Sequence, residues 1–189
     1  MKTDELINLL ANDRLPRRRL WSSLVVGAMV GTIVAATLFF AEIGFRPDIA
    51  EAVHSIRFLF KFVVTISLAT TAIVVTLKLA RPDDNLRSKS SALLVAPILL
   101  ACAVGIELSI LPSGQWMSNL VGHNARFCLT LIPLLSIGPL ICFMAALRHG
   151  APSNPGLAGA AAGLAMSDIA ATFYAANCND DSPLFVATW

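Results

Sequence analysis

The chain has 189 residues, of which 56% are hydrophobic and only 14% charged, with a formal net charge of +2 and a mean hydropathy of +0.72. A soluble domain carries roughly a quarter charged residues. The deficit lies in long segments almost free of charge, which excludes a soluble bundle with polar outer faces and points to a membrane protein.

The chain begins with a polar tail, residues 1–19. In MKTDELINLLAND, Thr3 reads as a helix cap, with Asp4 and Glu5 in the first turn, where acidic side chains favour the helix dipole. Leu6, Ile7, Leu9 and Leu10 then give an apolar face over two turns, too short to be stable alone in water. Such a helix either lies on a membrane surface or docks into a partner's groove, and the residues leave both open. Arg17, Arg18 and Arg19 invite a signal-peptide reading, but the apolar run behind them outlasts a signal core and no A-x-A site follows. It reads as a retained first helix.

Five apolar segments reach the roughly 20 residues that a span needs: 20–44, 58–80, 92–111, 127–147 and 157–176. Short connections carry Pro47, Pro82, Pro112, Pro152 and Pro155 as breaks. The predicted fold is all-α, a polytopic membrane bundle with no room for a separate soluble domain. Gly27 and Gly31 in the first span, and Gly159 and Gly163 in the fifth, each lie four apart on one helix face, where a neighbouring backbone approaches closely. That spacing makes the fifth span a tight packing helix, with self-association as a further reading. Beyond it, Phe185 to Trp189 reads as the opening of a sixth helix that the chain lacks, or as a free tail.

Lys61, Glu107 and Asp168 lie within spans, where an unpaired charge costs at least ~2.5 kcal/mol. Lys61 and Glu107 are about one turn from the outer face, near the level of Glu42 and Arg126, which predicts shallow ion pairs. Asp168 is deeper and has no obvious basic partner. A proton or ion path would use such a residue, but the interrupted helices and repeats of transporters are not visible.

Of the four cysteines, Cys102 and Cys142 lie inside spans and read as small hydrophobes. Cys128, in GHNARFCL, stands at the mouth of the fourth span, where a thiol would touch solvent, and Cys178 lies just past the fifth. Consecutive antiparallel helices are neighbours, so both thiols reach one level. A static disulfide, a redox or metal switch, and two unrelated thiols all stay open. His123 precedes Cys128, while Asp180 and Asp181 follow Cys178. His123, Cys128 and Cys178 are thus a candidate set for a soft or borderline metal, on chemistry rather than spacing.

Basic residues set the orientation. Lys2, Arg14, Arg17, Arg18, Arg19, Lys78, Arg81, Arg87, Lys89 and Arg148 fall on one side, against Arg46, Arg57 and Arg126 on the other. This puts the N-terminus in the cytoplasm and Cys128 and Cys178 outside. No C-x-x-C, G-x-S-x-G, H-E-x-x-H or phosphate loop occurs, so the chain does not read as an enzyme. A small transporter and a structural membrane subunit are the alternatives.

The blocks MKTDELINLLA, GFRPDI, GHNARFCL and C…FVATW, in that order, resemble the NrsF-type family of multi-pass inner-membrane anti-sigma factors of proteobacteria. The resemblance runs over the whole chain, with Cys128 and Cys178 matching the family's two outer cysteines. It departs at Asn177-Cys178-Asn179, where the family usually has His-Cys-Pro, and in lacking a sixth span. The resemblance implies that the tail holds an extracytoplasmic-function sigma factor at the inner membrane. It implies release when oxidative or heavy-metal stress reaches the cysteines, with no direct nucleic-acid contact. It therefore favours a protein partner for the tail, and a switch over a staple.

Overall fold

A computed structural model describes residues 17–80 and 90–188. Its long helices are α1 (Arg17–Glu42), α3 (Ile56–Leu79), α4 (Val95–Ile110), α6 (Ala125–Leu147) and α7 (Pro155–Ala175). Two short helices, α2 (Ile49–Ala52) and α5 (Trp116–Val121), lie in the connections, and a third, α8 (Pro183–Val186), follows α7. There is no strand among the described residues. The all-α bundle expected from the sequence is the observed fold.

Four of these segments are long and apolar enough to cross a bilayer: Leu20–Glu42, Ile56–Leu79, Ser113–Leu147 and Pro155–Ala175. The segment expected to span over 92–111 forms only a 16-residue helix, α4, led by the 3-10 turn Ser90–Leu94. Pro155 does not break a helix. It opens α7, where a missing N–H costs nothing, and the Asn154 side chain accepts from the Leu157 N–H.

Helix α7 forms the centre, packed on α3, α6 and α1, while α4 leans on α3. Its buried face is built from Ala158, Ala161, Ala162, Ala165 and Ala170, small enough for neighbouring backbones to come close. The outward faces of the bundle carry large apolar side chains such as Ile33, Ile66, Ile106 and Ile141. Lipid would satisfy these faces, since helices pair most of their backbone groups within the segment. In α3 the hydroxyls of Thr65, Thr71 and Thr76 donate to carbonyls one turn earlier, so they add no unsatisfied polar group.

The two GxxxG spacings behave differently. A Cβ at Gly27 would lie 2.7 Å from Ala146 Cβ, and one at Gly31 would lie 3.2 Å from the Pro139 backbone, so α1 and α6 touch through these glycines. Gly159 and Gly163 have no neighbour within 4 Å. Helix α7 is the tight packing helix, but through its alanines and not through its glycines.

Candidate functional site

Cys128 lies in the first turn of α6, its N–H bonded to the Asn124 carbonyl at 2.9 Å. Cys178 follows the end of α7, where Tyr174 O accepts from both Asn177 N and Cys178 N. The two sulfurs are 3.8 Å apart, and both cysteines are free. The structure thus brings the two thiols together. It does not leave them in contact with solvent, as expected for Cys128: they are 0% and 1% exposed. Phe39, Tyr174 and Phe185 belong to the apolar cluster around them.

The cover is the strap that runs from Asn177 into α8. Phe185 is part of α8, whose Leu184, Phe185 and Val186 are all buried. This segment is therefore not a free tail: it packs back onto the bundle. Ser182 caps α8 and Pro183 opens it, a readable start signal that the sequence reading passed over. Gly122, at φ +57, makes room: a Cβ there would lie 2.6 Å from the Phe185 ring and 2.8 Å from the Asp180 carboxylate. Asp180 Oδ2 accepts from the His123 and Asn124 N–H groups at 2.9 and 2.8 Å, at the otherwise unpartnered start of α6.

Two buried cations hold the same strap. Lys61, 0% exposed, donates to Cys178 O at 2.9 Å and forms an ion pair with Asp181 at 2.6 Å. Arg46 donates to Cys178 O at 3.3 Å, pairs with Asp181 at 3.1 Å and bonds Asp48 through Nε at 2.7 Å. The hydrogen bond from Arg46 holds the Asp48 carboxyl down at about 2 and raises the guanidinium in turn. The Cys178 thiol is lowered, first by a hydrogen bond from Cys128 and then by the charge of Lys61, against the effect of its burial.

Glu107 on α4 makes a further tie. Its Oε2 accepts from Ser182 Oγ at 2.8 Å and Leu184 N at 3.0 Å, while Oε1 stands 3.6 Å from Arg57. The ion pairs foreseen for Lys61 and Glu107 therefore exist with other partners than expected, because the strap supplies one and Arg57 the other. Glu42 and Arg126 are exposed. Among the described residues, one buried carboxylate oxygen of Asp168 has no hydrogen-bond partner.

His123 is 97% exposed and its Nδ1 is 3.7 Å from Asp180, so it does not converge on the thiols. Among the described residues no group of three or more His, Cys, Asp and Glu side chains is placed to hold a metal ion. A cavity of about 300 Å³ opens beside the strap, lined by Arg57, Asn119, His123, Asn179, Asp180 and Ser182 among others. The tail residues Leu6, Ile7, Leu9 and Leu10 lie outside the described residues.

Comparison with known proteins gives this arrangement a setting. The "Anti-sigma-F factor NrsF" of Caulobacter vibrioides is 33% identical over 198 residues, spanning 100% of this chain and 90% of that protein. The "Probable anti-sigma-F factor NrsF" of Azospira oryzae is 29% identical over 194 residues with the same coverage. No solved structure matches the chain. A family profile described as "Negative regulator of sigma F" matches residues 10–189, and the chain belongs to that family, which is regulatory and not catalytic.

Proposed function

We propose that this negative regulator sequesters a sigma factor of the extracytoplasmic-function class at the inner membrane and releases it in response to chemistry at Cys128 and Cys178. The N-terminus is cytoplasmic, and the apolar face Leu6, Ile7, Leu9 and Leu10 is the sigma-holding surface. The thiol end faces the periplasm. One observation carries the reading: two free, buried thiols stand 3.8 Å apart between α6 and the strap after α7.

That separation serves two chemistries. A disulfide needs the sulfurs at about 2.05 Å, a contraction of roughly 1.8 Å. Two thiolates on a tetrahedral soft or borderline metal, each about 2.3 Å from it, stand about 3.8 Å apart and need almost no movement. Either event ties α6 to the end of α7. Rigid helices can carry the change to the opposite end of the bundle. Driving a two-state equilibrium from 1:99 to 99:1 takes about 5.5 kcal/mol, within reach of a new covalent or coordinate clip.

The test measures sigma-dependent transcription and co-purification of the sigma factor with the full chain. Cys128→Ser, Cys178→Ser and the double variant should all be locked in one signalling state, with the double no different from the singles. Normal stress responses in all three would remove the switch. Polar substitutions at Leu6, Leu9 and Leu10 should turn the regulon on without stress, since buried apolar anchors dominate helix-in-groove contacts. A silent regulon at normal protein level would remove the tail as the binding element.

A further inference from the structure

Resting on the thiol reading above, we propose that Lys61 is the positioning residue of the cysteine pair: it clamps the Cys178 backbone so that its sulfur faces Cys128, and it joins that clamp to α3. A fully buried ammonium in a span is costly unless every proton finds an acceptor. The partners of Lys61 among the described residues all belong to the strap: it donates to Cys178 O at 2.9 Å and Asp180 O at 3.5 Å and pairs with Asp181 Oδ1 at 2.6 Å. Its hydrogen bonding is directed wholly at the four residues that begin with Cys178. Phe58, one turn earlier, lies under both cations, 5.2 Å from Lys61 Nζ and 5.7 Å from Arg46 Cζ. That ring holds the two heads against one carbonyl.

Mobility assigns the roles. Cys128 is fixed by helix α6, where Ile132 and Leu135 pack in the same buried cluster. Cys178 lies outside any helix, so the approach of the sulfurs must come from the strap. The lysine therefore keeps the Cys178 sulfur presented to Cys128, 3.8 Å away, and links the pair to α3, the helix packed most extensively on α7.

The experiment uses the full chain in membrane vesicles with Cys102→Ser and Cys142→Ser, so that Cys128 and Cys178 are its only thiols, and diamide as the oxidant. One thiolate adds to the N=N bond and the second sulfur attacks the first. The S–N bond breaks, the disulfide forms, and the diamide leaves as a hydrazine holding both thiol protons and two electrons. Lys61→Met should slow disulfide formation by about tenfold or more, as loss of positioning does, while Lys61→Arg keeps donors for the same acceptors and should restore it. Leu24→Ala, at the opposite end, should lower stability yet leave the rate unchanged, which separates positioning from general loosening. Should Lys61→Met fail to accumulate, Asp181→Asn decides, because it leaves the lysine but weakens its anchor and should slow the reaction severalfold. Oxidation at the unchanged rate in these variants, or Lys61→Arg behaving like Lys61→Met, overturns the proposal. If the rates move as stated but sigma release ignores the thiols, the functional reading falls and the positioning role stands.

Discussion

The two ends of the bundle are held by different forces. At the end where α1 starts and α3 and α6 finish, Leu24, Leu79, Phe143, Leu147, Ala158 and Ala162 form a dry cluster. Its cohesion is close packing, which is non-directional and shared over many contacts. At the thiol end, Arg46, Lys61, Glu107, Asp180 and Asp181 tie a short strap to α3, α4 and the start of α6 through directed bonds. Such a network fails when a single member is lost, because the abandoned partner stays buried. A bundle meant to respond at one end would be built this way. On the proposed switch, the packed end would resist change and the polar end would respond when one bond is made or broken.

The largest expected effect breaks the polar end from inside. Asp181→Ala leaves Lys61, 0% exposed, without its carboxylate and removes a partner of Arg46. Breaking one side of a buried pair costs about 3–5 kcal/mol. The 21% exposure of Asp181 places this case at the lower end. Unfolding in mixed micelles with increasing SDS should show it, and a loss as small as that of a surface charge would contradict the directional picture. Next comes Gly122→Ala, which forces a side chain to φ +57 and into Phe185 and Asp180. Strained backbone plus overpacking should cost about 2 kcal/mol or more. It should also expose the thiols, so alkylation of Cys128 should rise along with the loss of stability.

A smaller pair of changes sharpens the contrast within the packed regions. Gly27→Ala places a methyl 2.7 Å from Ala146 Cβ and should destabilise by about 1–3 kcal/mol. Gly159→Ala meets nothing within 4 Å and should be neutral or stabilise by up to about 1 kcal/mol through helix propensity. Equal effects would mean that the α1–α6 seam is looser than described.

This pair also shows what the sequence could and could not say. Both GxxxG spacings are identical as text, and only the placement of a neighbour separates Gly27 from Gly159. Hydrophobic run length made the membrane bundle legible, because the bilayer sets it independently of tertiary contacts. The shared level of the two thiols was legible for a similar reason: neighbouring antiparallel helices bring Cys128 and Cys178 to one end of the bundle. Their burial was not, since it depends on α8 folding back. Phe185 and Val186 look alike as the start of a span and as a lid. Lys61 and Glu107 were visible as charges in need of partners. Their partners, Asp181 and Arg57, lie 120 and 50 positions away, and no periodicity links such distances.

The smallest effect lies at the solvent edge of the polar end. Asp48 is 48% exposed and bonds the buried Arg46. Its carboxyl is held at about 2 by that hydrogen bond, below the roughly 3.9 of an unfolded chain. A depressed carboxylate stabilises the fold above its unfolded value, and that contribution disappears as pH falls from about 4 through about 2. Arg46 stays charged throughout, so the pair is lost by protonation of Asp48 alone. Exposed pairs contribute little, and Arg46 retains Asp181 and the Cys178 carbonyl when Asp48 is neutral. Asp48→Asn should therefore lower stability only slightly at pH 6. The difference between the two chains should shrink as pH approaches 2, where the unchanged carboxylate is itself becoming neutral. SDS unfolding of both chains from pH 6 down to 2.5 would show this convergence. A gap that widens in acid would mean that the Asp48 carboxylate is not what supports Arg46 at the solvent edge.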